Sequence, residues 1–220
     1  MTFLRGLREN NSRDWMLAHK DLQREATGEF EELLDALICD LAVHDPSVLG
    51  LRPRDLTYRL NRDTRFSADK SPYHPAFRAH ISPGGKAPVP GKYYLYIAPG
   101  GTFLGGGVHA APFPDAVERI RTYIAAHGQA FEDIVTAPEF TKNFVLVGEK
   151  LKNVPKNFDP AHPQGQYLKH KSWDIECRLP DEALDDLDAF RALAVEKYLL
   201  MVPFNDYLNK AVEGFVMPQR

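Results

Sequence analysis

The spacing of apolar residues changes twice along this chain, and that change most constrains its fold. Trp15, Ala18, Leu22, Phe30, Leu33, Leu34, Leu37, Ile38 and Leu41 recur at steps of three and four, the period that places side chains on one face of a helix. The opening reads as two helical pieces. Asn10, Asn11 or Ser12 caps the second, which starts near Arg13 and runs to Val43, and a bend is expected near Thr27 and Gly28, its weakest helix formers. From Leu56 the pattern shortens to strand-like runs at Leu56 to Leu60, Ala76 to Ile81, Tyr93 to Ala98 and Thr102 to Val108. Pro99, Gly100 and Gly101 between the last two predict an antiparallel hairpin, because glycine accepts the positive φ of a tight turn. Helical spacing returns at Asp115 to Ala126, with Gly128 as its stop signal. Short strands at Phe144 to Val147 and Trp173 to Leu179 follow, and a closing helical segment, Asp185 to Val202 and Asn205 to Phe215, breaks at Pro203. Helices, then clustered strands, then helices predict an α+β fold: a mainly antiparallel sheet with helices packed on it and helical segments at both ends.

Within 220 residues, 44% apolar and 26% charged, one hydrophobic core is the expectation, so the chain reads as a single domain over 1–220. No apolar run approaches the roughly 18 residues of a membrane span, and Arg5, Arg8, Glu9 and Arg13 interrupt any signal-peptide core. Cys39 and Cys177 stand in no metal or redox spacing and read as small core residues with reduced thiols, which fits the cytoplasm. A net charge of -3 argues against a partner as large and anionic as nucleic acid.

That charge is unevenly spread. Seven basic residues (Arg52, Arg54, Arg59, Arg62, Arg65, Lys70, Arg78) stand against three acids (Asp55, Asp63, Asp69) between Arg52 and Arg78, an excess of four. A second excess of four lies between Thr141 and Lys171, where Lys142, Lys150, Lys152, Lys156, Lys169 and Lys171 face Glu149 and Asp159. Within the first segment Arg59 to His74 mixes charges, hydroxyls and aromatic rings at high density.

This run, Arg59-Leu-Asn61-Arg62-Asp63-Thr64-Arg65-Phe66-Ser67-Ala-Asp69-Lys70-Ser71-Pro72-Tyr73, resembles the signature of a bacterial and fungal family, the domain of unknown function 2461. The Phe3, Leu4, Asn10, Asn11, Asp14, Trp15 opening, the Tyr93 to Gly107 hairpin and Leu151 through Pro155 extend the resemblance over most of the chain. It implies a shared fold and no particular activity.

Guanidinium groups present a planar fork of donors suited to phosphate or carboxylate. The first reading is therefore a cleft for a small anionic ligand. Arg62, Arg65 and Lys70 bind it, Asp63 and Asp69 orient them, Ser67 and Tyr73 lie alongside, Gly105, Gly106 and Gly107 form one wall, and Lys169 comes from the second basic segment. In the second reading the protein is a non-catalytic interaction or structural protein: Asp63 and Asp69 hold the arginines in an internal brace, Ser67 and Ser71 make turn hydrogen bonds, and the glycines admit a helix or a bulge. The partner in that reading is another protein of unspecified identity. A hydrolase is the weaker third, since Ser67-x-x-Lys70 has the spacing of a lysine-activated serine without companion motifs. Gly105 to Gly107 open no helix and are no dinucleotide fingerprint, and the eight histidines show no His-Glu-x-x-His, so neither cofactor nor metal is expected.

Overall fold

A computed structural model describes residues 1–218. Its described elements are α1 (Thr2–Glu9), α2 (Arg13–Ala18), α3 (Lys20–Ala42), α4 (Pro53–Leu56), β1 (Phe77–Ile81), β2 (Tyr93–Ile97), β3 (Phe103–Val108), α5 (Pro114–Thr136), α6 (Pro138–Asn143), β4 (Val145–Val147), α7 (Gly165–Leu168), β5 (Trp173–Arg178) and α8 (Leu187–Ala211). The strands form one antiparallel sheet in the order β1-β2-β3-β5-β4. The fold is α+β, with helices toward both ends. No helix among the described residues is long and apolar enough to cross a membrane.

Contacts group the chain into two compact units. The first comprises 1–86, 94–104 and 178–195; the second comprises 87–93, 105–177 and 196–220.

In the first unit Ser12 caps α2, its side chain accepting from the Trp15 N–H at 3.2 Å. Helix α3 then runs unbroken through Thr27 and Gly28. The helical run is interrupted at His19 (φ -117°, ψ 29°), which ends α2, and whose ring stacks on Trp15 at 4.1 Å. Phe77 of β1 is packed against Phe3 of α1 (6.0 Å) and Phe30 of α3 (5.1 Å). With Leu4, Leu7, Leu34, Leu37 and Leu41 these rings form the unit's core, and each buried side chain of this size contributes about 1.5–3 kcal/mol.

The strand expected at Leu56 to Leu60 does not form as such. Pro53 starts the single helical turn of α4, and only Thr57 bridges to Ala79, with the Tyr58 N–H donating to the Arg78 carbonyl at 2.9 Å before the chain leaves the sheet. The hairpin is as expected, with Gly100 at φ 67° and the Gly101 N–H donating to the Ala98 carbonyl. Cys39 is exposed rather than in the core, whereas Cys177 is buried.

In the second unit the helix expected at Asp115 to Ala126 ends in a break next to Gly128. Helix α5 continues to Thr136 with a kink at His127 (φ -128°, ψ 29°), whose carbonyl accepts from the Tyr207 hydroxyl at 3.1 Å. Gly128 is there because the Gln164 side chain lies against it: a Cβ would fall 2.6 Å from that amide. Helix α8 runs through Pro203, which is exposed. Phe131, Phe204, Tyr207, Tyr198 and Trp173 are buried in this unit's core.

Two glycines give opposite expectations. A Cβ at Gly107, which sits at φ 96°, would lie 2.0 Å from the Trp173 carbonyl oxygen. Gly107→Ala should therefore destabilise by more than about 3 kcal/mol or prevent folding. Gly28 has nothing within 4 Å, and Gly28→Ala should stabilise α3 by about 0.5–1 kcal/mol. Urea unfolding of both variants checks the pair.

Candidate functional site

The polar signature folds as a closed loop. The Arg62 N–H donates to the Pro72 carbonyl (2.9 Å), the His74 N–H to the Leu60 carbonyl (2.7 Å), and Asn61 bridges to Tyr73. Buried Leu60 anchors the entry. Asn11, from the link between α1 and α2, clamps the exit: its amide accepts from the Tyr73 N–H (3.1 Å) and donates to the Tyr73 carbonyl (2.9 Å). This explains why the opening of the chain and the central run share one signature, although spacing alone gives no hint that they touch.

Inside the loop the charges serve one another. Arg62, whose side chain is only 17% exposed, donates to the Asp69 carboxylate, to the Ser71 carbonyl at 3.3 Å and to the Ser67 hydroxyl at 3.3 Å. Asp69 also accepts from the Ser71 N–H at 2.8 Å. Hydrogen bonds from Ser71 and then from Arg62 hold the Asp69 carboxyl well below the ordinary carboxylate range. Arg65 wraps onto Asp63, with Nε at 3.0 Å and Nη2 at 2.6 Å, which lowers Asp63 to about 2 through that side-chain bond and the bond from the Arg65 N–H. Both members of this second pair are exposed.

Lys70 donates to the Thr64 carbonyl at 2.9 Å. Neither Ser67 nor Lys70 is helical, and the serine faces Arg62 rather than the lysine. The one-turn geometry that would let Lys70 activate Ser67 is therefore not formed. The loop turns at 64–67, and Phe66 at its tip is 95% exposed.

Arg62, Asp63, Arg65, Ser67, Asp69, Lys70 and Tyr73 are thus brought together in the first unit. Gly105, Gly106, Gly107 and Lys169 belong to the second. There the glycines of β3 meet the chain itself. A Cβ at Gly106 would lie 2.9 Å from the Met201 sulfur and 3.1 Å from Asn205 Oδ1, and Asn205 accepts from the Gly107 N–H at 2.7 Å. Lys169, half-buried, follows α7 and accepts through its carbonyl from the Leu151 N–H at 2.7 Å. Buried Arg121 steadies the same stretch by donating to the carbonyls of Leu168 (2.9 Å) and His170 (2.8 Å). Among the described residues no group of three or more His, Cys, Asp or Glu side chains is placed to hold a metal ion.

One cation outside the expected set differs from the rest. Arg78 of β1 lies with its guanidinium carbon 5.3 Å from the Tyr58 ring centre and donates through Nη2 to the Arg59 carbonyl at 3.2 Å. Its Nε is buried with no hydrogen-bond partner. Burial pushes the neighbouring Tyr94 hydroxyl up to about 12, partly offset by the Arg78 charge, and raises Tyr58 as well. Half-buried His74 is pushed below its ordinary value, first by burial and then by Arg78 and Arg62. The period of two in Tyr93 to Ile97 was the available signal, since it sets Tyr94 and Tyr96 apart from the core positions.

The fold and this loop define an α+β protein whose polar signature is a clamped, internally paired surface loop beside the first strand of the sheet. The chain belongs to the family of conserved hypothetical proteins DUF2461, whose model matches residues 1–207. No curated protein and no solved structure matches it.

The two arginine pairs should respond differently to mutation. Arg62→Ala removes a half-buried network and should lower the melting temperature by about 3–6 °C, whereas Arg65→Ala, in an exposed pair, should move it by less than about 1 °C. Both aspartates have lowered folded values, so their contribution is complete above the ordinary value of 3.8 and is lost as pH falls from there, down to about 2 for Asp63 and lower still for Asp69. The gap between wild type and Arg62→Ala should narrow steadily as pH falls below 3.8 in thermal melts followed by circular dichroism.

Proposed function

We propose that this protein binds a small anionic ligand, and that Arg78, rather than Arg62 or Arg65, is the anchor. The observation that carries this reading is the contrast in how the cations are used. Arg62, Arg65 and Lys70 are taken up by acceptors of their own loop, while Arg78 keeps a buried N–H with no acceptor. That N–H, at Nε, lies inside the protein, so an anion would meet the outer edge of the half-buried guanidinium, whose planar fork of donors suits phosphate or carboxylate. The Arg62 and Asp69 network then holds the loop that begins at Arg59, whose carbonyl fixes one end of the guanidinium.

A second reading is favoured by Phe66. A large ring 95% exposed at the tip of a clamped loop suits a non-catalytic interaction protein that presents this loop to an apolar spot on a partner protein.

Thermal melts with inorganic phosphate and sulfate separate the two. At a hundredfold excess over Kd, phosphate should raise the melting temperature by about 5–10 °C. Arg65→Ala should keep that rise and Arg78→Ala should lose it. A wild-type protein indifferent to both anions would leave the interaction reading standing alone.

A further inference from the structure

The residues around Arg78 form a surface of a particular kind. In β1 and β2 the positions facing the core, Phe77, Ala79, Tyr93, Leu95 and Ile97, are buried, while Arg78, Tyr94 and Tyr96 are half-buried. Phe103 opens β3 in the same half-buried state. Tyr96 stacks on Phe103 at 4.7 Å and 15°, Phe103 reaches Tyr94 at 6.0 Å, Tyr94 meets Tyr58 edge-on at 6.2 Å, and Arg78 covers Tyr58. Four rings and one guanidinium thus form a continuous row within the first unit. Tyr58 is fixed at its tip, its hydroxyl donating to the Lys86 carbonyl at 3.2 Å.

An aromatic row ending in a half-buried guanidinium has two complementary requirements. The π faces favour a flat ring, and the guanidinium favours an anion attached to that ring at short reach. The segment Arg52 to Arg78 carries an excess of four positive charges, so the occupant matched by charge is an anion and not a basic or neutral planar compound. The rings are half-buried rather than projecting, which suits a small flat ligand lying on the sheet better than a protein partner.

We infer that the row Tyr58, Arg78, Tyr94, Tyr96 and Phe103 is a binding site for a nucleoside monophosphate, with the base on the Tyr96 and Phe103 side and the phosphate at Arg78. This rests on the reading of Arg78 as the anion anchor and adds the ring that the anion carries. The net charge of -3 opposes a long polyanion and favours a single phosphate at this site.

Isothermal titration of the full chain with AMP, adenosine and inorganic phosphate tests it. AMP is expected to bind at least tenfold more tightly than either adenosine or phosphate, since each of those lacks one of the two contacts. Tyr96→Ser should weaken AMP tenfold or more and leave phosphate within about twofold. Phe103→Leu, which keeps apolar volume without an aromatic face, gives the same comparison if the serine variant does not fold. AMP binding no tighter than phosphate, or unaltered by loss of either ring, would overturn the nucleotide site while leaving Arg78 as an anion anchor. Absence of phosphate binding as well would overturn both. A ten-residue single-stranded DNA that bound more than tenfold tighter than AMP would overturn the small-ligand assignment.

Discussion

Phe77 is held between Phe3 and Phe30, and the features of the first unit that bear on function follow from that contact. A strand has a side-chain period of two, so fixing one residue in the core fixes its neighbours on the other face. With Phe77 committed inward, Arg78 is committed outward, and β2 repeats the choice with Leu95 inward and Tyr94 and Tyr96 outward. A slip of one residue would put a guanidinium among phenylalanine rings, at a cost of several kcal/mol, a large share of a domain's net stability. The helical face of α1 and α3 therefore selects which side chains the opposite face can offer.

The loop between α4 and β1 solves a different problem. It carries many like charges in few residues, and in an open chain those charges would repel one another or hold water. Here Arg62, Arg65 and Lys70 are each matched by an acceptor only a few residues away: Asp63 for Arg65, Asp69 and Ser67 for Arg62, the Thr64 carbonyl for Lys70. Short loops between partners keep the entropy of closure small. Asn11 then ties the result to the start of the chain with two bonds from one amide. The loop is thus set in place by hydrogen bonds and by its single buried entry residue, Leu60, with little apolar burial of its own.

The fold class, the helices of the first forty residues, the Gly100 turn and the strands β1, β2, β3 and β5 were legible because each rests on local periodicity or on a turn whose chemistry is contained in two or three residues. The errors have a common cause. At Pro203 the local signal pointed to a helix break, and α8 runs through it with the proline at an exposed position. Thr27 and Gly28 are weak helix formers, but the six buried residues from Phe30 to Leu41 carry the helix regardless. Composition located the loop correctly and could not say how its charges were shared. Whether an arginine holds a neighbour two residues away or waits for a ligand is decided by angles that spacing does not encode. Arg78 was visible in the charge count; its distinction, a buried N–H without an acceptor, exists only in three dimensions.

Each compact unit is assembled from three stretches that are far apart in sequence, and the chain passes from one to the other five times. Several of these passages fall inside regular elements, within β2, β3, β5 and α8. No contiguous piece of the gene encodes either unit whole. A cut anywhere in the middle of the chain therefore leaves both units incomplete, so neither can be excised as a contiguous fragment.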